Sequence, residues 1–165
     1  MKSDAIRIDR ATAADVDGIL KLAEDNYPER GGELTGHLAR ETVAGMIQQL
    51  PNIVARRGED LVGFLLVSEK TSSRNPCVIS MLDAYGGSDD AYVYGPVCVH
   101  SSARGQGIAQ AMFEQLRRLV PNREGILFIK ASNASSLRAH RKMGMRTTAE
   151  YTYEGNRFVV FAYGP

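Results

Sequence analysis

Between Tyr92 and Ala109 an apolar run, Tyr92-Val93-Tyr94-Gly95-Pro96-Val97-Cys98-Val99, leads through the polar turn His100-Ser101-Ser102-Ala103 into Arg104-Gly105-Gln106-Gly107-Ile108-Ala109. Met112, Phe113, Leu116 and Leu119 follow at helical spacing, so the two glycines stand at the mouth of an amphipathic helix. A helix mouth carries unpaired backbone N–H groups and the positive end of the helix dipole. Glycine lets that backbone approach a ligand closely. A strand feeding a glycine-rich helix start is therefore a seat for phosphate groups, and the pattern predicts a phosphate-bearing cofactor. A dinucleotide fingerprint is the rival reading. Gly105 and Gly107 supply its first two glycines, but Gln110 stands where a third glycine or an alanine belongs, and no acid ends a second strand about 20 residues on.

The elements that must position these residues follow from periodicity. Ala5 to Asp9 alternates as a half-buried strand does. Thr12 offers an N-cap to a helix over Ala13 to Asn26, with Val16, Ile19, Leu20, Leu22 and Ala23 as its stripe. Glu29 to Thr35, holding Gly31-Gly32, reads as a loop, and Leu38 to Leu50 as a second helix stopped by Pro51. Asn52 to Arg57 and Leu61 to Ser68 form a hairpin around Gly58-Glu59-Asp60. Lys70 to Asp90 reads as a long irregular section with one apolar patch, Val78 to Leu82; such sections are usually functional or mobile. The key helix runs to about Val120 and Pro121 turns the chain into a continuous apolar strand, Gly125 to Ala131. Asn133 to Met143 is a short helix closed by Gly144, and Met145 to Tyr153 with Arg157 to Tyr163 make a last hairpin around Glu154-Gly155-Asn156. Interspersed strands and helices with hairpins at both ends predict one α/β domain over residues 1–165. Its sheet is mixed and mostly antiparallel, with about seven strands flanked by about four helices.

Two blocks in this order resemble the GNAT superfamily of N-acetyltransferases. Val97 to Ala109, with its R-x-x-G-x-A core, is similar to that family's acetyl-CoA-binding motif. Asn133-Ala134-Ser135-Ser136-Leu137-Arg138-Ala139-His140-Arg141-Lys142-Met143-Gly144-Met145 is similar to its N-x-x-[AS]-x-x-x-[YH]-x-x-x-G-[FM] helix. The spacing of the blocks and the order of elements fit over nearly the whole chain.

The resemblance implies an acetyl-CoA-dependent transferase acting on a primary amine. The pyrophosphate of CoA rests on the N–H groups from Gly105 through Gln106, Gly107 and Ile108 to Ala109, with Arg104 at the start of the turn. The pantetheine arm lies beside Val97, Cys98 and Val99 like an added strand, and one N–H there holds the developing oxyanion. In the family this strand parts from the next and the cofactor enters the gap. Gly95-Pro96, with no N–H at Pro96, fits such a break and equally fits a plain strand end. Asn133 bonds the pantetheine arm, with Ser136 nearby, although asparagine is also a favoured N-cap. His140 stands where many relatives place a tyrosine that protonates the leaving thiolate; a histidine can do this, or can simply pack there or touch the cofactor.

A general base is the missing part. Relatives often carry a glutamate on the strand of Val93 and Tyr94 or on that of Phe128, and here no acid stands at either place. Tyr94, Asp90, Glu33 and His100 are the candidates, Tyr94 being the one carried forward with His140 as catalytic. Cys98 is a covalent acceptor in one reading and a small apolar strand residue in the other. Arg138, Arg141 and Lys142 are candidates for the 3′-phosphate or merely a solvated helix face. Acids at Glu29, Glu33, Asp83, Asp89 and Asp90 lean the acceptor toward a cationic amine.

Composition bounds the partners. The chain has 165 residues, enough for one proper core, and 20 Lys and Arg against 19 Asp and Glu give a net charge of +1. That balance leaves no electrostatic footprint for nucleic acid or an anionic membrane. Two separated cysteines, Cys77 and Cys98, and a polar start without an apolar core read as reduced thiols in a cytoplasmic protein. No metal-ligand cluster is expected, and the final hairpin is a candidate dimer interface. A CoA-binding sensor without catalysis is the alternative from another class.

Overall fold

The computed structural model describes residues 5–30, 32, 34 and 36–165. Glu33 lies outside the described residues. The strands are β1 (Ile6–Arg10), β2 (Ile53–Arg57), β3 (Asp60–Glu69), β4 (Tyr92–Val99), β5 (Gly125–Lys130), β6 (Arg146–Tyr153) and β7 (Asn156–Tyr163). The helices are α1 (Val16–Glu24), α2 (Arg40–Gln49), α3 (Pro76–Ala84), α4 (Ile108–Leu119) and α5 (Ala134–Lys142). The chain forms two compact units, Met1–Val67 with Gly95–Val120 and Ser68–Tyr94 with Pro121–Pro165. β3 and β4 each run through both.

In the first unit the strand order is β1-β2-β3-β4. β1 pairs antiparallel with β2, and β2 with β3, with a bulge between Ala55 and Arg56. The apolar stripe read from the sequence does bury. Val16, Ile19, Leu22 and Ala23 of α1 and Val43 and Met46 of α2 pack on Val54, Phe64 and Leu66. Each large side chain so buried contributes about 1.5–3 kcal/mol. Asn52, fully buried, is fully used: its Nδ2 donates to the Met46 and Leu50 carbonyls and its Oδ1 accepts from Val67 N–H. It thus pins the end of α2 to β3. At Gly63 an added Cβ would stand 3.3 Å from the Cys98 carbonyl oxygen and from Ile108, so a bare backbone is what brings β4 and α4 onto β3.

In the second unit the order is β4-β5-β7-β6. β4 and β5 are parallel, with Tyr92 opposite Gly125 and Val93 opposite Ile126. β5–β7 and β7–β6 are antiparallel. The last hairpin turns on two residues with positive φ, Glu154 at 49° and Gly155 at 80°, as a tight hairpin with the strands' own twist requires. Gly144, at φ 90°, ends α5 as the sequence predicts.

Within the section expected to be irregular, residues 76–84 are helical, making five helices rather than about four. Asn75 caps α3 by accepting from Cys77 N–H at 2.9 Å, and Pro76 occupies its first turn. Val78, Met81 and Leu82 then bury against Val93, Ile126, Phe128, Val160 and Tyr151. Exposed Ile79 interrupts the polar face that would have marked the helix in sequence. Because side chains alternate along a strand, Tyr92 and Tyr94 point away from the face that α3 covers.

The strap from α3 to β4 is held by a buried carboxylate. Glu124, 2% exposed, accepts from Tyr85 Oη at 2.7 Å, Ser88 N–H at 2.7 Å and Arg146 Nη2 at 2.6 Å. Burial alone would raise its pKa, but these donors outweigh burial and hold it below the ordinary glutamate value. Its stabilisation is therefore complete above the unfolded pKa and lost as the pH falls through the lowered folded one. Glu124→Gln should cost about 1–3 kcal/mol at pH 7. In urea titrations the gap to wild type should shrink once the pH drops below about 4.3. An equal gap at pH 7 and at acid pH would contradict the charge-based account.

Candidate functional site

In the first unit, β4 delivers the chain to a short turn over Ser101–Ala103, capped by His100, whose Nδ1 accepts from Ser102 N–H at 3.1 Å. Gly105 and Gly107 follow with φ of 77° and 75°, and α4 starts at Ile108. These positive angles are why the sequence needs glycine there. Nothing lies within 4 Å of where a Cβ would stand on either one, so the surface above them is open. Among the described residues, no protein group accepts from the N–H groups of Gly105 to Ala109. Five unaccepted donors at the positive end of a helix of 12 residues are what an anion seat requires, and a diphosphate fits that donor set.

The side chains around the seat act as braces. Arg104 donates through Nε to the Val99 carbonyl at 3.1 Å and through Nη2 to Asn26 Oδ1 at 2.8 Å. Gln106 Oε1 accepts from Arg57 Nη2 at 3.4 Å. Before the turn, Val97 and Val99 are half-buried and Cys98 is buried. Burial pushes the Cys98 thiol up to about 12, which leaves it protonated and a poor nucleophile. Both its burial and its raised pKa favour the apolar strand residue of its two readings.

In the second unit, the β4–β5 ladder stops at Val93, just before Tyr94 and Gly95-Pro96, while β5 continues to Lys130 against β7. Gly95-Pro96 therefore follows the end of a ladder and not the end of a strand, since β4 runs on to Val99. Asn133 takes the N-cap of α5, accepting from Ser136 N–H at 3.3 Å. One turn on, His140 is 3% exposed, with Nδ1 at 2.8 Å from the Ser136 carbonyl and Nε2 at 3.0 Å from Tyr94 Oη.

A carbonyl can only accept, so Nδ1 carries the proton and Nε2 presents a lone pair to the Tyr94 hydroxyl. Burial lowers the pKa of His140, opposed in part by the Ser136 bond, so the ring is neutral near pH 7. Burial, with Tyr92 adding to it, raises that of Tyr94. The two rings meet edge to face at 5.6 Å, and Tyr163 packs on Tyr94 in the same way. The pair is buried and neutral, with the Tyr94 hydroxyl donating to His140 Nε2.

The remaining sequence candidates separate cleanly. His100 spends Nδ1 on the turn. Asp90 is exposed, and its carbonyl accepts from Arg123 Nε. Arg138, Arg141 and Lys142 lie on the exposed face of α5, Arg141 over the Phe161 ring. Among the described residues no group of His, Cys, Asp and Glu could hold a metal ion, and no helix is long and apolar enough to cross a membrane. Sequence reasoning passed over Asn26, which read as the last residue of a helix. Its only signal was a polar residue just past an apolar stripe.

Comparison with known proteins bears on the family and the fold. The model of the acetyltransferase (GNAT) family matches residues 16–145. No curated protein matches the chain as a relative. The backbone is similar to that of Arabidopsis thaliana NAA60 in complex with acetyl-CoA, at 18% identity and a TM-score of 0.73, covering 98% of this chain and 100% of that one. It is also similar to the ribosomal-protein-S18-alanine N-acetyltransferase of Escherichia coli, at 14% identity and 0.70, covering 96% and 92%. A third similar structure is yncA of Salmonella typhimurium with acetyl-CoA, at 14% and 0.72, covering 97% and 94%.

The tautomer assignment is open to direct measurement. Across a pH titration, ring ¹⁵N shifts should show His140 neutral with its proton on Nδ1 at pH 7, and protonating only below the ordinary histidine value of about 6.5. A proton on Nε2 at pH 7 would contradict the arrangement.

Proposed function

Since the chain belongs to the GNAT acetyltransferase family, we propose that it transfers acetyl from acetyl-CoA to a primary amine by direct attack in a ternary complex, without a covalent enzyme intermediate. The observation that carries this reading is the row of unaccepted N–H groups from Gly105 to Ala109 at the start of α4. The CoA diphosphate takes them. The pantetheine arm adds to β4 beside Val97, Cys98 and Val99, where a backbone N–H stabilises the oxyanion of the attacked thioester. The family resemblance assigns the polar groups of Asn133 and Ser136, at the start of α5, to the same arm. The protein's main work is to hold the amine and the thioester carbon in line and to keep water out.

Proton traffic falls to Tyr94 and His140. Attack makes the C–N bond and leaves a proton too many on nitrogen. Tyr94 Oη takes that proton while passing its own to His140 Nε2. As the C–S bond breaks, the proton returns by the same route to the departing thiolate. The amine proton thus ends on the CoA thiol, and His140 ends neutral as it began. In this reading His140 is the acid only through Tyr94; the acceptor amine attacks as its free base, its ammonium proton having been lost to solvent on the way in, so the relay itself needs no carboxylate base. The lowered pKa of His140 suits a proton held for a moment and then released. Acids at Glu29, Asp83, Asp89 and Asp90 favour a cationic acceptor amine.

The experiment is thiol release from acetyl-CoA across a panel of amines, with acetyl-CoA binding followed by calorimetry. Amine-dependent release is expected, and Gly107→Trp should abolish acetyl-CoA binding without unfolding the protein. Tight binding with no release from any amine would point instead to a CoA-binding sensor or to a macromolecular acceptor outside the panel.

Tyr94→Phe should lower turnover about a hundredfold, a usual share for acid–base catalysis, with little change in acetyl-CoA affinity. His140→Phe should likewise cost turnover more than affinity. Undiminished turnover in Tyr94→Phe would remove the pair from the chemistry.

A further inference from the structure

Three buried tyrosines, Tyr92, Tyr94 and Tyr163, share one core of the second unit. Tyr92 lies opposite Gly125 in the β4–β5 ladder, and Gly125 lies opposite Tyr163 in the β5–β7 ladder. Glycine inside a strand often marks the close approach of another group. Here that group is Tyr163. A Cβ at Gly125 would stand 2.2 Å from Tyr163 Cζ and 2.4 Å from its hydroxyl oxygen, so only glycine leaves room for the ring. The Tyr163 and Tyr92 hydroxyls are hydrogen-bonded, and their rings meet edge to face at 6.1 Å. Tyr92 is itself anchored. The Arg123 guanidinium lies over its ring at 5.4 Å, and Arg123 is fixed by bonds of 3.2 and 2.7 Å to Glu69. Tyr163 then packs edge to face on Tyr94 at 5.9 Å, and Tyr94 meets His140 in the same way at 5.6 Å.

We infer that Tyr163, tethered to Tyr92 across Gly125, is a positioning residue that aims the Tyr94 hydroxyl at His140 Nε2. Hydrogen bonds weaken steeply as the donor swings out of line. Tyr94 makes its 3.0 Å bond from the tip of a long side chain whose outer torsion has a broad minimum. Packing must therefore set the tilt of its ring. Of its ring partners, His140 is the acceptor itself, and Tyr163 supplies a reference fixed elsewhere in the sheet. Tyr163 acts on the reaction through Tyr94 alone. Its effect on turnover rests on the proton relay proposed above; its effect on the hydrogen bond does not.

The Nε2 ¹⁵N resonance of His140 in the full chain at pH 7 reads that bond directly. Tyr94→Phe, with no hydroxyl to donate, marks where the resonance of the unbonded nitrogen lies. Tyr163→Phe keeps the ring but loses the tether to Tyr92, and should move the resonance part of the way there. Tyr163→Leu removes the ring and should move it further. Turnover should fall about threefold in Tyr163→Phe and about tenfold in Tyr163→Leu, with acetyl-CoA affinity unchanged. In a Tyr94→Phe background, Tyr163→Phe should cost less than about twofold, because residues that act through one another are not additive. An unmoved resonance in Tyr163→Phe overturns the inference, whether or not Tyr163→Leu folds. Equal losses of turnover with and without the Tyr94 hydroxyl overturn it as well, since a merely structural contribution behaves that way. If wild type shows no amine-dependent turnover, the relay falls, and the resonance alone decides whether Tyr163 positions Tyr94.

Discussion

Backbone donors at a helix start have to be satisfied by something, and between Gly105 and Ala109 no group among the described residues does so. Much of the first unit serves to present them. β4 carries the chain up to the turn, Gly63 lets β4 and α4 close onto β3, and α4 buries Ile108, Met112, Phe113 and Leu116 so that its N-terminus stays where the turn leaves it. Gly105 and Gly107 supply the positive φ that the turn into α4 requires. A helix dipole acts only over its first turn, so rigid placement of that turn matters more than any one side chain beside it.

The second unit handles charge in two opposite ways. Glu124 is buried and ionised, and it remains so because tyrosine, serine and arginine donors replace the water it lost. Tyr94 and His140 are equally buried and carry no charge, each satisfying the other with a single proton between them. The first arrangement is rigid and costly to disturb, which suits a strap leading into β4. The second can pass a proton with little movement of heavy atoms, which suits a reacting centre. Desolvation drives both; the number of donors aimed at each group decides which outcome follows.

A good part of this could be read in the chain alone. The seat was legible because its logic is local: strand, polar turn, two glycines and an apolar stripe lie within a few turns of one another. The hairpin at Glu154-Gly155 and the stop at Gly144 were legible for the same reason, since positive φ selects glycine wherever it falls. α3 was not legible, because its apolar residues face a sheet built from strands far away in sequence, and Ile79 blurs its period. Arg104 illustrates the boundary. Its place beside the glycines is a matter of sequence, whereas its partner is 78 residues distant and could only be found in space.

The sequence by itself determined the order of elements, the family and the anion seat, because each depends on residues near one another along the chain. Tertiary structure alone decided the proton's place on His140, the neutrality of Cys98 and the roles of Glu124 and Asn26. Each of those depends on how much water is excluded and on which distant donor or acceptor arrives in its stead. Burial and long-range hydrogen bonds are properties of the folded backbone, and no local pattern of residue types encodes them.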